Sequence, residues 1–357
     1  MKFGVCVASH ISDIDYIVRA EELGFHSAWL ADSQMLWSDC YATLALAATR
    51  TQRINLGTGV AVTGTRPPAV TASSIATINA LAPGRTFLGV GSGNTAMRVM
   101  GLPPQRIADF DRYLEELRPL LRGEESLVWF KNEEIPIRHV MPNDGFVNFD
   151  DPIPLYVSGF GPKSLGIAGK HGDGAVLAMP ANANIMANIW RMLEKHEGSN
   201  QNSIDRSSFL TTALTAIVVL DPGEPIDCPR VKSECGAMAM AAIHFGYEQV
   251  RNFGRKPGGA LAYVWEDYRE MIESYPEKRR HQRIHAGHNC WVLPEEERFL
   301  TPDVLRASSL IGTNDQIIDQ LGQLHEAGLD QVMVLPNFDT RYQSIERLAK
   351  DVVGNVY

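Results

Sequence analysis

One event recurs three times in the first half of the chain: a short apolar run stops at glycine. Thr86 to Val90 ends among Gly89, Gly91 and Gly93, with Ser92 and Asn94 beside them. Ile54 to Val60 (INLGTGV) and Ile153 to Gly161 (IPLYVSGFG) run into glycine in the same way. Runs this short, with no polar alternation, suit strands buried on both faces, as in a parallel sheet. A glycine where such a strand ends removes the side chain, so a flat group can lie against the backbone. Singly, each site reads equally well as a turn that binds nothing. The repetition is what points to a binding site.

Helical segments separate the runs. Strands are expected at Phe3–Ala8, Ser27–Ala31, Ile54–Val60, Thr86–Val90, Ile153–Ser158, Gly174–Ala178, Thr211–Leu220 and Gln331–Leu335. Ser12 is a candidate cap for a first helix that carries Ile14, Ile17, Val18 and Leu23 on one face and stops at Gly24. Further helices are expected at Tyr41–Thr49, Ala69–Leu81 behind Pro67-Pro68, Arg106–Leu121, Lys163–Lys170, Asn184–His196, Asn314–Ala327 and Arg341–Val353. Strand-then-helix order repeated eight times implies parallel strands and right-handed crossovers. The fold class is therefore α/β, a (β/α)8 TIM barrel. An open doubly wound sheet fits less well, because no second half repeats the first.

A barrel of typically ~250 residues leaves room in 357 for two insertions. Residues 124–152 read as a hairpin-like excursion, and 221–302 as a longer insertion with mixed helical signals, both within one domain, 1–357. The net charge of -9 and pI near 5.6 argue against nucleic acid or an anionic membrane as partner. Five scattered cysteines without a CxxC pair suit a reducing compartment rather than a disulfide frame or zinc site. The N-terminus lacks the apolar core of a signal peptide, and no stretch approaches ~20 apolar residues. A cytoplasmic enzyme is expected.

Four segments together resemble the luciferase-like family of flavin- and deazaflavin-dependent oxidoreductases: ASHISDIDYIVRAEELGFHSAWLADS, INLGTGVAVTGTRPPAVTASSIATINALAPGRTFLGVGSGN, IPLYVSGFGPKSLGIAGKHGDGAVL and SSLIGTNDQIIDQLGQLHEAGLDQVMV. The likeness is greatest to the branch containing methylenetetrahydromethanopterin reductase, and it spares the two insertions. It implies a cofactor at the C-terminal mouth of the barrel. Gly59-Val60 would be a cis peptide behind the tricyclic ring. Gly91, Ser92, Gly93 and Asn94 would follow the ring and ribityl chain, and Ser158, Gly159, Gly161, Lys163 and Ser164 the phosphate end. Independently of the resemblance, backbone N–H groups of a glycine turn opening a helix point at an anion, and Lys163 and Ser164 add a charge and a hydroxyl. A plain helix cap at Pro162 and Ser164 is the alternative.

Two departures bear on mechanism. The sugar-phosphate branch carries an acid where this chain has Asn94, and a histidine after strand two where it has Ser33 following Asp32. The ring-opening monooxygenase branch places an asparagine where this chain has Gly89. Asn94 can hydrogen-bond a carbonyl but cannot act as a general acid. His10, Trp37, His285, His288 and Trp291 lie on loops that could reach the substrate, with Asn94, His10 and His288 as candidate catalytic groups. His281, His285 and His288 could share a helical face and bind a metal, but a solvated basic face after Lys278, Arg279 and Arg280 is favoured, and no metal is expected. The first-choice function is two-component monooxygenation of a small organic substrate with reduced FMN from a separate flavin reductase. The alternative is hydride transfer by coenzyme F420, and a third is a barrel that binds flavin without catalysis. The resemblance also implies a homodimer.

Overall fold

Eight short, largely apolar strands can be buried on both faces only if helices cover the sheet and the sheet closes on itself. The chain does this. A computed structural model describes residues 1–195, 204–254 and 256–354. The barrel strands are β1 (Lys2–Val7), β2 (Ser27–Leu30), β3 (Asn55–Thr58), β4 (Thr86–Gly91), β5 (Leu155–Ser158), β6 (Gly174–Ala178), β7 (Leu210–Thr215) and β8 (Gln331–Val334). All pair in parallel; β8 joins β1 to β7, and β4 pairs back to β3, which closes the ring. The expected (β/α)8 barrel is the fold.

The helices between them are α1 (Asp15–Glu22), α2 (Cys40–Arg50), α3 (Pro68–Leu81), α4 (Ile107–Leu120), α5 (Pro162–His171), α6 (Ala183–Glu194), α7 (Asn314–Glu326) and α8 (Arg341–Leu348). Several start at a side chain that accepts an otherwise orphaned N–H: Asp39 from Ala42 N, Asn182 from Ile185 N, and Thr313 from Gln316 N with Gln316 reciprocating. Ser12 is not such a cap. The first helix begins three residues later behind Ile14, with no side-chain cap. His196, the expected end of α6, lies outside the described residues.

Two apolar layers hold the barrel. One lies between strands and helices and includes Ile17, Leu44, Ile75, Leu114, Leu165, Leu321 and Ile345. The other fills the barrel itself with Trp29, Phe87, Val176 and Met333. Trp29 and Phe87 are 4.3 Å apart at their centroids and Tyr156 is 5.5 Å from Trp29. Each such ring pair adds about 0.5–1.5 kcal/mol beyond burial.

The expected strand Thr211–Leu220 is two strands. β7 leaves the barrel at Thr215, and Ile217–Val219 pairs instead with Leu310–Gly312, on the far side of the long insertion. That short parallel pair ties the two ends of the insertion together. The insertion holds a 25-residue helix, Pro229–Phe253, a second helix, Leu261–Glu273, and its own apolar cluster around Val231, Tyr268, Ile284 and Phe299. The earlier excursion is a hairpin, Ser126–Phe130 against Glu133–Ile137, turned by Lys131 and Asn132 at positive φ. No helix among the described residues is long and apolar enough to cross a membrane.

Candidate active site

The three glycine bends lie at one end of the barrel, where β3, β4 and β5 finish. β3 stops at Thr58 and the ladder resumes at Ala61–Val62, which pairs with Val90 and Gly91. Gly59 and Val60 form the bulge between, and the peptide bond joining them is cis. A Cβ added at Gly91 would lie 2.8 Å from Val60 Cγ2 and 3.4 Å from Ser158 Cβ, so the ends of β3, β4 and β5 touch there only because residue 91 has no side chain. Gly93 follows at φ +85°, a conformation glycine adopts without penalty, and opens the short helix Asn94–Arg98. At Gly161 a Cβ would meet nothing within 4 Å.

The β5 loop then enters α5. Gly161 N donates to Ser164 Oγ at 3.2 Å, and Ser164 Oγ in turn donates to Gly161 O at 3.0 Å. Lys163 is exposed and makes no ion pair among the described residues. A helix N-terminus with a free ammonium beside it favours an anion.

Asn94 is fixed by a chain of charge. Its Oδ1 accepts from Arg98 Nε at 2.8 Å, and Arg98 Nη1 donates to Glu248 Oε2 at 2.6 Å on the long insertion helix. Both charged side chains are under a tenth exposed. The amide nitrogen of Asn94 remains without a partner among the described residues. Asp32, at the end of β2, accepts from Val62 N at 3.1 Å and pairs with Arg66, which also reaches Asp39 at 3.1 Å.

The insertion returns over this end of the barrel. A helix of five residues, Arg280–Ile284, ends before His285, and Gly287 at φ +72° turns the chain. The solvated basic face expected for His281, His285 and His288 is therefore not formed. His285 is 3% exposed, with both ring nitrogens unpartnered among the described residues. His288 Nε2 lies 3.0 Å from Asn289 Nδ2 and 3.4 Å from Thr95 Oγ1, and its Nδ1 is buried without a partner. The two rings meet edge to face at 5.5 Å, and Trp37 is 6.2 Å from His288. Desolvation, then neighbouring positive groups, lowers His285 to about 3, and His288 is held well below its ordinary value by the same causes. Both rings are neutral at pH 7.

Trp37 Nε1 donates to Cys290 Sγ at 3.3 Å, and burial pushes the Cys290 thiol up to about 11, so it is no nucleophile at neutral pH. Trp291 stands apart on the rim, half exposed, bonded to Asp339 Oδ2 at 3.0 Å and packed on Phe338. His10 is exposed and packs on Phe338 at 5.6 Å, bordering with Asn289 a cavity of about 10 Å³. A larger hollow, about 690 Å³, lies at the opposite end of the barrel among Lys2, His26, Arg53 and Asp330. None of the glycine bends borders it. The Arg98–Glu248 pair and the unpartnered Gln34 Oε1 escaped the sequence reading. Arg98 stands one helical turn from Asn94, but nothing local announces a partner 150 residues away.

Residues 1–331 match the family model described as luciferase-like monooxygenase. The chain is 35% identical over 270 residues to an F420-dependent glucose-6-phosphate dehydrogenase of Kineococcus radiotolerans, covering 70% of this chain and 77% of that protein. It is 31% identical over 356 residues to a 5,10-methylenetetrahydromethanopterin reductase of Methanolobus tindarius, covering 95% and 94%. The solved coenzyme F420 dependent tetrahydromethanopterin reductase of Methanopyrus kandleri shares the fold with a TM-score of 0.70 at 21% identity, over 100% of this chain and 99% of that one.

Proposed function

The chain belongs to the luciferase-like monooxygenase family and is an oxidoreductase, and from that premise we propose that it transfers hydride between coenzyme F420 and a small organic substrate. This reverses the order that the sequence alone suggested, in which reduced FMN and oxygen came first. Relatives named for F420 dependence and for methylenetetrahydromethanopterin reduction favour the deazaflavin.

The observation that carries the reading is the glycine-lined cradle where β3, β4 and β5 end. It fits a flat ring and a phosphorylated tail on this chain's own geometry. Gly91 has no side chain, which lets Val60 and Ser158 close in beside it and brings the three strand ends together. Val60, projecting from the bulge, would back the ring. Ser92, Gly93 and Asn94 would follow its edge, with the Asn94 amide oriented by Arg98 so that its N–H groups are free to donate. Ser158, Gly159, Gly161, Ser164 and the unpaired Lys163 would take the phosphate end. Bound there, the deazaflavin supplies a two-electron hydride acceptor or donor. The protein contributes position, exclusion of water and hydrogen bonds to the substrate oxygen. Asn94 carries no ionisable proton and would act only by hydrogen bonding, as would the neutral imidazole of His288 beside Thr95 on the neighbouring turn. A homodimer and a small-molecule substrate complete the reading. No reductase partner is needed when F420 arrives already reduced.

The test is a paired titration. Purified protein is mixed with F420 or with FMN, and the melting temperature and cofactor fluorescence are followed, with oxygen uptake recorded for the reduced forms. F420 alone is expected to raise the melting temperature, without oxygen consumption. Preferential binding of FMN with oxygen uptake would reinstate monooxygenation.

A further inference from the structure

We propose that the turn 285–289, carried by the long insertion, is the substrate-recognition wall, and that it selects an uncharged carbonyl or secondary-alcohol compound whose oxygen accepts a hydrogen bond from His288 Nδ1. The proposal rests on the barrel mouth being the active site, as argued above.

The first ground is the polar inventory. Asn289 Nδ2 at 3.0 Å can only donate to His288 Nε2, so the neutral ring carries its proton on Nδ1, which is buried and unpartnered. His285 offers one further donor and one acceptor, and Asn289 Oδ1 and Gln34 Oε1 are unpartnered acceptors. Buried imidazole and amide atoms are normally hydrogen-bonded. Four neighbouring residues with free polar atoms match a ligand that both accepts and donates, as hydroxyl and carbonyl groups do.

The second ground is charge. Four arginines near this wall are already bound to carboxylates. Arg98 is held by Glu248, Arg283 by Glu296 at 2.8 Å and Glu295 at 2.9 Å, Arg66 by Asp32 and Asp39, and Arg341 by Asp13. Both histidines are neutral. A phosphate or carboxylate on the substrate would lose its hydration and find these four guanidinium groups already occupied. The ammonium of Lys163, unpaired among the described residues, belongs to the first turn of α5, after β5. The site is in this respect unlike one built for a sugar phosphate, and glucose 6-phosphate is expected to fail as substrate.

The third ground is placement. The turn touches Thr95, one residue from Asn94, and Trp37 from the β2 loop, while Phe338 of the β8 loop donates its N–H to Cys290 O at 3.0 Å. With Cys290 it thus spans the loops after three strands, β2, β4 and β8.

The experiment is saturation-transfer NMR on the full-length protein, with and without F420, using a panel of uncharged ketones and secondary alcohols and the matching carboxylates and phosphates, glucose 6-phosphate included. Uncharged members should give transfer and the anions none. His288→Leu, close in volume, should weaken the uncharged ligands about three- to tenfold, the loss of one hydrogen bond. His288→Gln should restore most of it, and F420 affinity should be unchanged in both. Melting curves report folding, and Gln34→Met provides a second variant on a separate loop, expected to weaken alcohols more than ketones. Preferential binding of anions, or equal binding by wild type and the folded His288→Leu protein, would overturn the proposal. If F420 itself does not bind, the cofactor reading fails, and the panel on cofactor-free protein still decides the wall.

Discussion

Replacing Gly161 by alanine separates holding the cofactor from holding the fold. Its backbone, φ -131° and ψ 167°, is extended and open to any residue, and a Cβ there meets nothing within 4 Å. The folded protein should accept the methyl group. Loss of freedom in the unfolded chain should then add about 0.4–1 kcal/mol of stability, or roughly 1–3 °C in melting temperature for a chain of this size. Gly159, two residues earlier, gives the contrast. A Cβ at that position would lie 2.8 Å from Leu165 N and Ser164 C, all backbone, so Gly159→Ala should cost about 1–3 kcal/mol by overpacking. Should the phosphorylated tail run over the β5 loop, the alanine 161 methyl would stand in its path, and F420 affinity should fall about tenfold, near 1.4 kcal/mol. Fluorescence titration of F420 into both proteins, beside their melting curves, measures the two effects. An unchanged dissociation constant in a folded Gly161→Ala protein would refute the placement of the tail.

Lys163→Met should weaken F420 binding about tenfold and flatten its dependence on salt, as read by titration between low and high ionic strength. Glu248→Gln leaves the buried Arg98 guanidinium uncompensated and should lower stability by about 3–5 kcal/mol in chemical denaturation, where a surface pair would cost under 1. His285, lowered by burial to about 3, stays neutral in the folded chain while its unfolded counterpart takes a proton below about 6.5. Its contribution is therefore fully present above pH 6.5 and is lost as pH falls from there toward 3, by at most about 1.4 kcal/mol per unit. His285→Gln should show a shallower fall in melting temperature across that window, and an identical slope in both proteins would contradict the burial of a neutral ring.

The barrel was legible because its strands are short, largely apolar runs punctuated by glycine and proline. Gly24 and Gly123, at φ +85° and +72°, end segments where the chain pattern says they should. The break in β7 was not legible. Thr211 to Leu220 is one unbroken β-prone run, and what divides it is pairing with Leu310–Gly312, about ninety residues on. The cis bond at Gly59-Val60 came from family resemblance, since no local rule marks it. His285 and His288 looked like a solvated face because helical spacing was extended past Ile284, where the helix stops and Gly287 turns the chain inward. Burial there is imposed by the insertion's own core and by Trp37 and Thr95, contacts that separation in sequence conceals.

A crystal structure of the protein with oxidised F420 bound tests the convergence of the three strand ends most directly. The ring is expected against Val60 and Gly91, with the phosphate end on residues 158–164 and the free face toward His288. Electron density for the ring at the other end of the barrel, in the hollow bordered by Lys2, His26 and Asp330, would contradict it.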